Sequence, residues 1–392
     1  MTFDRYTVIE KLGRPFGGRA AAHDAEDRFV SQNFAELKGE KAFSAMVPVE
    51  LGGGGLPYRQ MCEFIRELAR HCPSTALAFS MHQHLVAAAL WNHRHGNPGE
   101  KLLRRVADGE LVLVSTGATD WLGSTGTLEP CDGGFRFSAR KRFASGCPSG
   151  DLLITSGRYR DPNDGWQVLH FPLSMRSEGV QIEDDWKTMG MRGTGSNTVV
   201  LDNVFVPADA VSLRRPMGKF HGVWNIVLGV ALPLIGAVYI GVAEASAKIA
   251  REFASRRRDD LTAILVGEME NDRTTAQLAF ESIVAMANDL DFTPSLENTS
   301  AVLIRRTLLG QAVVGTASKA IEVTGGAGYF RQPGLERLLR DALASQFHPL
   351  PPKKQQRFTG RVSMGLDVEE TVQQVMEVVD APEPIRYRSA AG

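Results

Sequence analysis

Apolar residues recur at three- and four-residue intervals over 58–68 and again over 77–90, the spacing that lines one face of an α-helix. From about residue 111 the period changes to two. Leu111–Thr116, Phe135-Arg136-Phe137, Leu152–Ser156, Val168–Phe171 and Thr198–Leu201 read as short strands between Gly, Asp and Pro turns. Helical spacing returns from about 216, over 231–256, 274–290, 299–323 and 334–345, lengths suited to a bundle. Pro349, Pro351 and Pro352 then break the chain, because proline lacks a donor and clashes with the preceding turn. Helical character resumes over 353–375. The pattern predicts an α+β multi-domain chain: a helical domain over 1–110, a β-barrel domain over 111–215 and a helical bundle over 216–392.

Composition narrows the class. Of 392 residues, 43% are hydrophobic and 23% charged, as in soluble globular proteins. A net charge of −1 gives no support to nucleic acid or an anionic membrane as a partner. The start, Met1-Thr2-Phe3-Asp4-Arg5, has no basic region leading into an apolar run, so no signal peptide is expected and the cytoplasm is the expected compartment. The most apolar stretch, 223–243, contains Trp224, Asn225 and Pro233 and reads as a buried core helix, with a membrane span as the lesser reading. Cys62, Cys72, Cys131 and Cys147 form no Cys-x-x-Cys pair and read as free thiols. His82 and His84 lie two apart and diverge on a helix, so no metal site is expected.

Four segments carry candidate chemistry. In Arg192-Gly193-Thr194-Gly195-Ser196 small residues flank a threonine, which lets backbone approach a ligand closely while Thr194 and Ser196 offer hydroxyls; a Gly-rich hairpin turn would look the same. Arg140–Gly146 places Phe143 and Ser145 at the end of a strand, where they are also readable as residues on one alternating face. Val114–Asp120 contains Thr116. In Ile321–Tyr329 the closely spaced Gly325 and Gly326 follow a helix and expose N–H groups to an anion.

In this order, over nearly the whole chain, these motifs resemble those of the acyl-CoA dehydrogenase family. Arg192–Ser196 and Phe143-Ala144-Ser145-Gly146 are closer to its flavin-dependent monooxygenase (hydroxylase) branch. The resemblance implies a helical N-terminal domain, a β-barrel and a C-terminal four-helix bundle. It implies FAD or FMN as cofactor, held by Thr116, Phe143, Ser145, Arg192, Thr194, Ser196, Gly325, Gly326 and Arg257. It also implies a homotetramer or homodimer. Arg257 stands in the triplet Arg256-Arg257-Arg258, which reads equally as a solvated helix face. The chain departs from the family where Glu-Pro is replaced by Gly117-Ala118, where Glu322 stands for a Gln, and where Arg257 lacks a following Phe-Gly. These departures suit a reduced flavin held loosely and supplied by a separate reductase.

The resemblance also implies where catalytic groups should stand. The family's carboxylate base, counted from Arg340-Asp341, falls on Pro349. Its second base position falls near Ala231, and no acidic residue lies between Phe220 and Tyr239. The residue before Pro349 is His348, a type that ordinarily titrates near neutral pH. Members of the hydroxylase branch carry a His shortly after the same Arg-Asp run, so the expected catalytic pair is His348 with Ser145. The competing reading of His348 is a helix-terminal residue facing the dipole before a proline break. The expected function is a monooxygenase using reduced flavin and O2 on a small aromatic, amine or sulfur compound. The alternatives are a dehydrogenase of acyl thioesters with a displaced base, or an inactive flavin-binding relative.

Overall fold

Asp4 starts the first helix by accepting N–H bonds from Tyr6 and Thr7, so α1 (Arg5–Ala25) begins at a capped end. The computed structural model describes residues 2–116, 122–257, 259–370 and 372–379. Helices α2 (Ser31–Gly39), α3 (Tyr58–His71), α4 (Pro73–Arg94) and α5 (Glu100–Gly109) follow α1. In α3 the residues Met61, Cys62, Ile65, Leu68 and Ala69 are buried along one stripe, as the three- and four-residue spacing predicts. Pro73 opens α4 at a position where a missing N–H costs nothing.

Eight strands form the central sheet: β1 (Leu113–Ser115), β2 (Thr127–Cys131), β3 (Gly134–Lys141), β4 (Leu152–Asp161), β5 (Gly165–Ser174), β6 (Val180–Ile182), β7 (Val199–Pro207) and β8 (Leu213–Pro216). Their order is β6-β7-β3-β2-β4-β5-β8, with β1 parallel to β4. Leu128, Phe137, Leu153, Phe171, Val199 and Leu201 pack its core, where Phe137 and Phe171 meet edge to face at 5.2 Å. The short β2, β6 and β8 were not anticipated from the pattern.

The remaining helices are α6 (Val223–Ala254), α7 (Asp260–Ala287), α8 (Leu296–Thr324), α9 (Leu335–Leu343), α10 (Pro352–Ser363) and α11 (Val372–Val379). Among the described residues α6 alone is long and apolar enough to cross a membrane, and its apolar stretch is almost wholly buried against α3, α4, α7 and α8. Glu244 on α6 is ion-paired with Arg66 and Arg70 of α3. Tyr58 of α3 donates to the Val230 carbonyl, 2.6 Å away, one turn before Pro233. α7 begins 14 residues earlier than the apolar spacing predicts, capped by Asp259. The four cysteines are free thiols, three buried and Cys131 exposed.

Candidate functional site

Strand β3 ends at Lys141, and the chain then turns through a left-handed residue, Phe143, at φ 58°. This corrects the alternating-strand reading of 143–145: the left-handed turn swings Phe143 outward, 48% exposed, with its ring centroid 5.9 Å from that of Trp186. Ser145 meets the 189–197 loop. Its Oγ lies 2.7 Å from Ser196 Oγ, which lies 2.7 Å from Thr194 Oγ1, and Thr194 donates to the Met191 carbonyl at 3.0 Å. Backbone bonds from Gly146 to Thr194 and from Ala144 to Asn197 stitch the two loops together. Three predicted residues from two motifs thus form one line of hydroxyls. Thr116, just after β1, donates to Thr155 Oγ1 on β4 at 2.7 Å. The Gly117-Ala118 departure lies outside the described residues.

The loop over 189–197 is held from two sides. Met191 and Gly195 are both left-handed, and a Cβ on Gly195 would stand 2.6 Å from the Phe29 ring. Arg192 is ion-paired with Asp27 at 2.7 Å and lies 3.9 Å from Asp24. From α9, Asp341 accepts the Met191 N–H at 2.6 Å, and Arg340 donates to the Met189 carbonyl and to both oxygens of Asp24. Burial pushes the Asp341 carboxyl up to about 6 against that hydrogen bond. A cavity of about 340 Å³ adjoins the loop, lined by Phe29, Trp186, Lys187, Gly195 and Asn197 among others.

At the end of α8, Gly325 takes φ 63° and Gly326 has open space where a Cβ would be. Arg257 reaches this turn and donates to the carbonyls of Val323 and Thr324 at 3.3 and 3.2 Å. It is therefore seated on the helix end beside the glycines while staying exposed to solvent. Glu322, which stands where the family has a Gln, is paired with Lys319 at 2.9 Å. Tyr329 and Phe330 of the same turn stand 87% and 71% exposed.

His348 lies in the turn between α9 and α10, with Nε2 2.5 Å from Tyr239 Oη. Burial, with help from the Arg306 charge, pushes the imidazole down to about 3, so the expectation of a group titrating near neutrality is corrected: the ring is neutral. Arg306 donates to the carbonyls of Ser345, His348 and Leu350. Among the described residues no hydrogen bond joins His348 to Ser145. Apart from Thr116 and Arg192, the predicted residues form three groups: the hydroxyl line with Phe143, the glycine turn with Arg257, and His348, which meets Tyr239. Sequence reasoning missed Tyr239, Arg306 and Asp24, each far along the chain from its partner.

These groups fit a flavin. The hydroxyl line and Thr116 suit polar edges, the open Gly326 backbone beside a guanidinium suits a phosphate, and exposed Phe143 offers a ring face. Residues 9–110 match the acyl-CoA dehydrogenase N-terminal domain, and residues 233–350 the acyl-CoA dehydrogenase C-terminal domain. The chain belongs to the acyl-CoA dehydrogenase family. Within this family of flavin-dependent oxidoreductases it stands near monooxygenases and nitrososynthases. The amino sugar nitrososynthase RubN8 of Streptomyces rubradiris is 27% identical over 359 residues, 87% of this chain and 84% of that protein. Dibenzothiophene monooxygenase of Mycolicibacterium goodii is 25% identical over 385 residues, 88% and 90% of the two chains. A solved structure of KijD3 in complex with FMN and dTDP-3-amino-2,3,6-trideoxy-4-keto-3-methyl-D-glucose matches this acyl-CoA dehydrogenase family member with a TM-score of 0.83 at 25% identity, covering 94% and 95% of the chains.

Proposed function

We propose that this oxidoreductase is a monooxygenase that takes reduced FMN or FAD and O2 and oxygenates a small amine, sulfur or aromatic compound. The observation that carries the reading is the pair of positions where a dehydrogenase needs a carboxylate. They hold Pro349 and Ala231, and the residue before Pro349 is a neutral imidazole bonded to a phenol. Abstraction of a carbon-bound proton from an acyl thioester has no base there. The relatives named as monooxygenase and nitrososynthase, and the amino sugar bound to KijD3, support sulfur and amine substrates.

The flavin, when bound, supplies the electrons that activate O2. Ser145 would meet a polar edge of the flavin, backed by Ser196 and the fully buried Thr194; Thr116 would meet another, Phe143 would pack on the ring system, and Arg257 with Gly325 and Gly326 would take the phosphate. Arg192 acts at one remove, fixing the shape of the 189–197 loop through Asp27. The regions 1–110, 111–215 and 216–392 act as three domains around this site. The exposed Tyr329 and Phe330 beside the glycine turn support a homotetramer or homodimer in which a second copy covers that turn. A separate reductase supplies the reduced flavin.

The test is to supply reduced flavin from a reductase under isotopically labelled O2, with a panel of amines, phenols and thiophenes. A product carrying one labelled oxygen is expected. Oxidation of acyl thioesters with no label in the product would overturn the monooxygenase reading in favour of a dehydrogenase with a displaced base.

A further inference from the structure

The two ring nitrogens of His348 stand in different surroundings. Nε2 lies 2.5 Å from Tyr239 Oη, while Nδ1 has no hydrogen bond among the described residues. Tyr239 sits inside α6, 1% exposed, and its hydroxyl has no second partner among the described residues. One proton must fill the contact between them. Were it carried by Nε2, the phenol's own proton would point at no acceptor among the described residues, leaving a buried donor unsatisfied. Carried by the phenol, it satisfies both groups at once. Burial works the same way, pushing the Tyr239 hydroxyl up and the His348 ring down, so that neither ionises near neutral pH. The backbone of the turn is fixed independently, by the three carbonyls that Arg306 holds.

We infer that Tyr239 is a positioning residue: by donating to Nε2 it holds His348 as the neutral tautomer with its hydrogen on Nδ1, so that His348 meets a ligand as a hydrogen-bond donor and not as a base. The identity of the ligand rests on the monooxygenase reading; the tautomer does not. A neutral N–H suits an oxygen atom that carries or gains negative charge. It does not suit removal of a proton from a phenol or amine, the other role that the residue type allows. Tyr239 reaches the ligand only through the imidazole.

The experiment has two readouts. In flavin-free protein with nitrogen-labelled histidine, the His348 ring signals, identified by their loss in His348→Asn, report which nitrogen carries hydrogen. Nδ1–H is expected in the wild type, and a mixture of tautomers in Tyr239→Phe, which keeps the ring in α6 and removes the proton. Nε2–H, or a doubly protonated ring, in the wild type overturns the inference whatever the turnover. In the loaded enzyme, product formed per O2 consumed is compared across variants. Asparagine places a donor near where Nδ1–H stood but has no basic nitrogen. His348→Asn is therefore expected to stay within about tenfold of wild type, where loss of a true base costs roughly 10²–10⁴-fold. Tyr239→Phe is expected to lower the same ratio by about tenfold, the worth of one hydrogen bond. A His348→Asn enzyme as inactive as His348→Ala overturns the donor role. A wild type that oxygenates nothing removes the monooxygenase reading, and the nitrogen spectrum still decides the tautomer.

Discussion

Ser145, Ser196 and Thr194 have one proton each, and the contacts among them use all three. Thr194 spends its proton on the Met191 carbonyl, so the 2.7 Å contact with Ser196 must take the proton of Ser196, and the contact with Ser145 that of Ser145. The line therefore presents lone pairs at its outer end. That end suits an N–H, and a reduced flavin carries an N–H at its reactive edge where the oxidised form does not. Ser145→Ala should weaken binding of reduced flavin by about tenfold and leave oxidised flavin nearly unchanged, consistent with roughly 1 kcal/mol for one hydrogen bond. Anaerobic titration against aerobic titration of the same variant checks it. Ser196→Ala should act differently, since it strands partners on both sides. A loss of about 1–3 kcal/mol in denaturant unfolding is expected, with both flavin forms weakened.

At the scale of elements, α6 and α8 set the limits. Gly241 lets α6 lie against α3, where an added Cβ would stand 2.5 Å from the Arg66 carbonyl oxygen and 2.6 Å from Ala69 Cβ. Gly241→Ala should cost about 1–3 kcal/mol by overpacking, read as a lower denaturation midpoint with an unchanged slope. At the end of α8 the Arg257 guanidinium serves two carbonyls. Arg257→Ala should destabilise by about 0.5–1 kcal/mol and weaken flavin binding more than it weakens the fold, as calorimetry and flavin titration together would show. The hydroxyl line and the glycine turn were legible in the sequence because each packs its chemistry into a few consecutive residues. The Tyr239–His348 pair was not, because 109 residues separate its members and only the closed bundle brings them together. The first half of α7 escaped for another reason. It is secured by the Asp259 cap and by pairs such as Arg251 with Glu270 and Lys319 with Glu268, with few buried apolar residues to make a stripe. β6 and β8, three and four residues long, are too short to show a period of two.

Across the whole molecule, histidines buried wholly or in part contribute to the response to acid. Burial depresses His82 and His84 to about 4 and His170 and His348 to about 3, from 6.5. The unfolded chain binds these protons first, so their contribution is complete above about pH 6.5 and is lost as pH falls towards 3 to 4. For His82 the structural cost is plain: its Nε2 bonds the Phe43 carbonyl and its Nδ1 accepts the Leu113 N–H at 2.9 Å, a bond that a second ring proton would abolish. The loss is on the order of 3 kcal/mol for His82. Asp341, raised to about 6, opposes this with a smaller slope between about pH 4 and 6. The melting temperature should drop from pH 7 to pH 5, and His82→Gln should flatten that drop; a flat wild-type profile would contradict it. The Arg340–Asp341 clamp has a consequence in time. Asp24 meets Arg340 across 316 residues, and the same dipeptide secures Met189 and Met191. At about 5–20 residues per second, a ribosome delivers Arg340 roughly 15 to 60 s after Asp24. Until then the first helices and the sheet are exposed to the cell with their shared loop held from one side, and among the described residues before 340 it is Arg192 that lies between the acids Asp24 and Asp27. A nascent chain stalled before residue 340 is the form of this protein that most needs a chaperone.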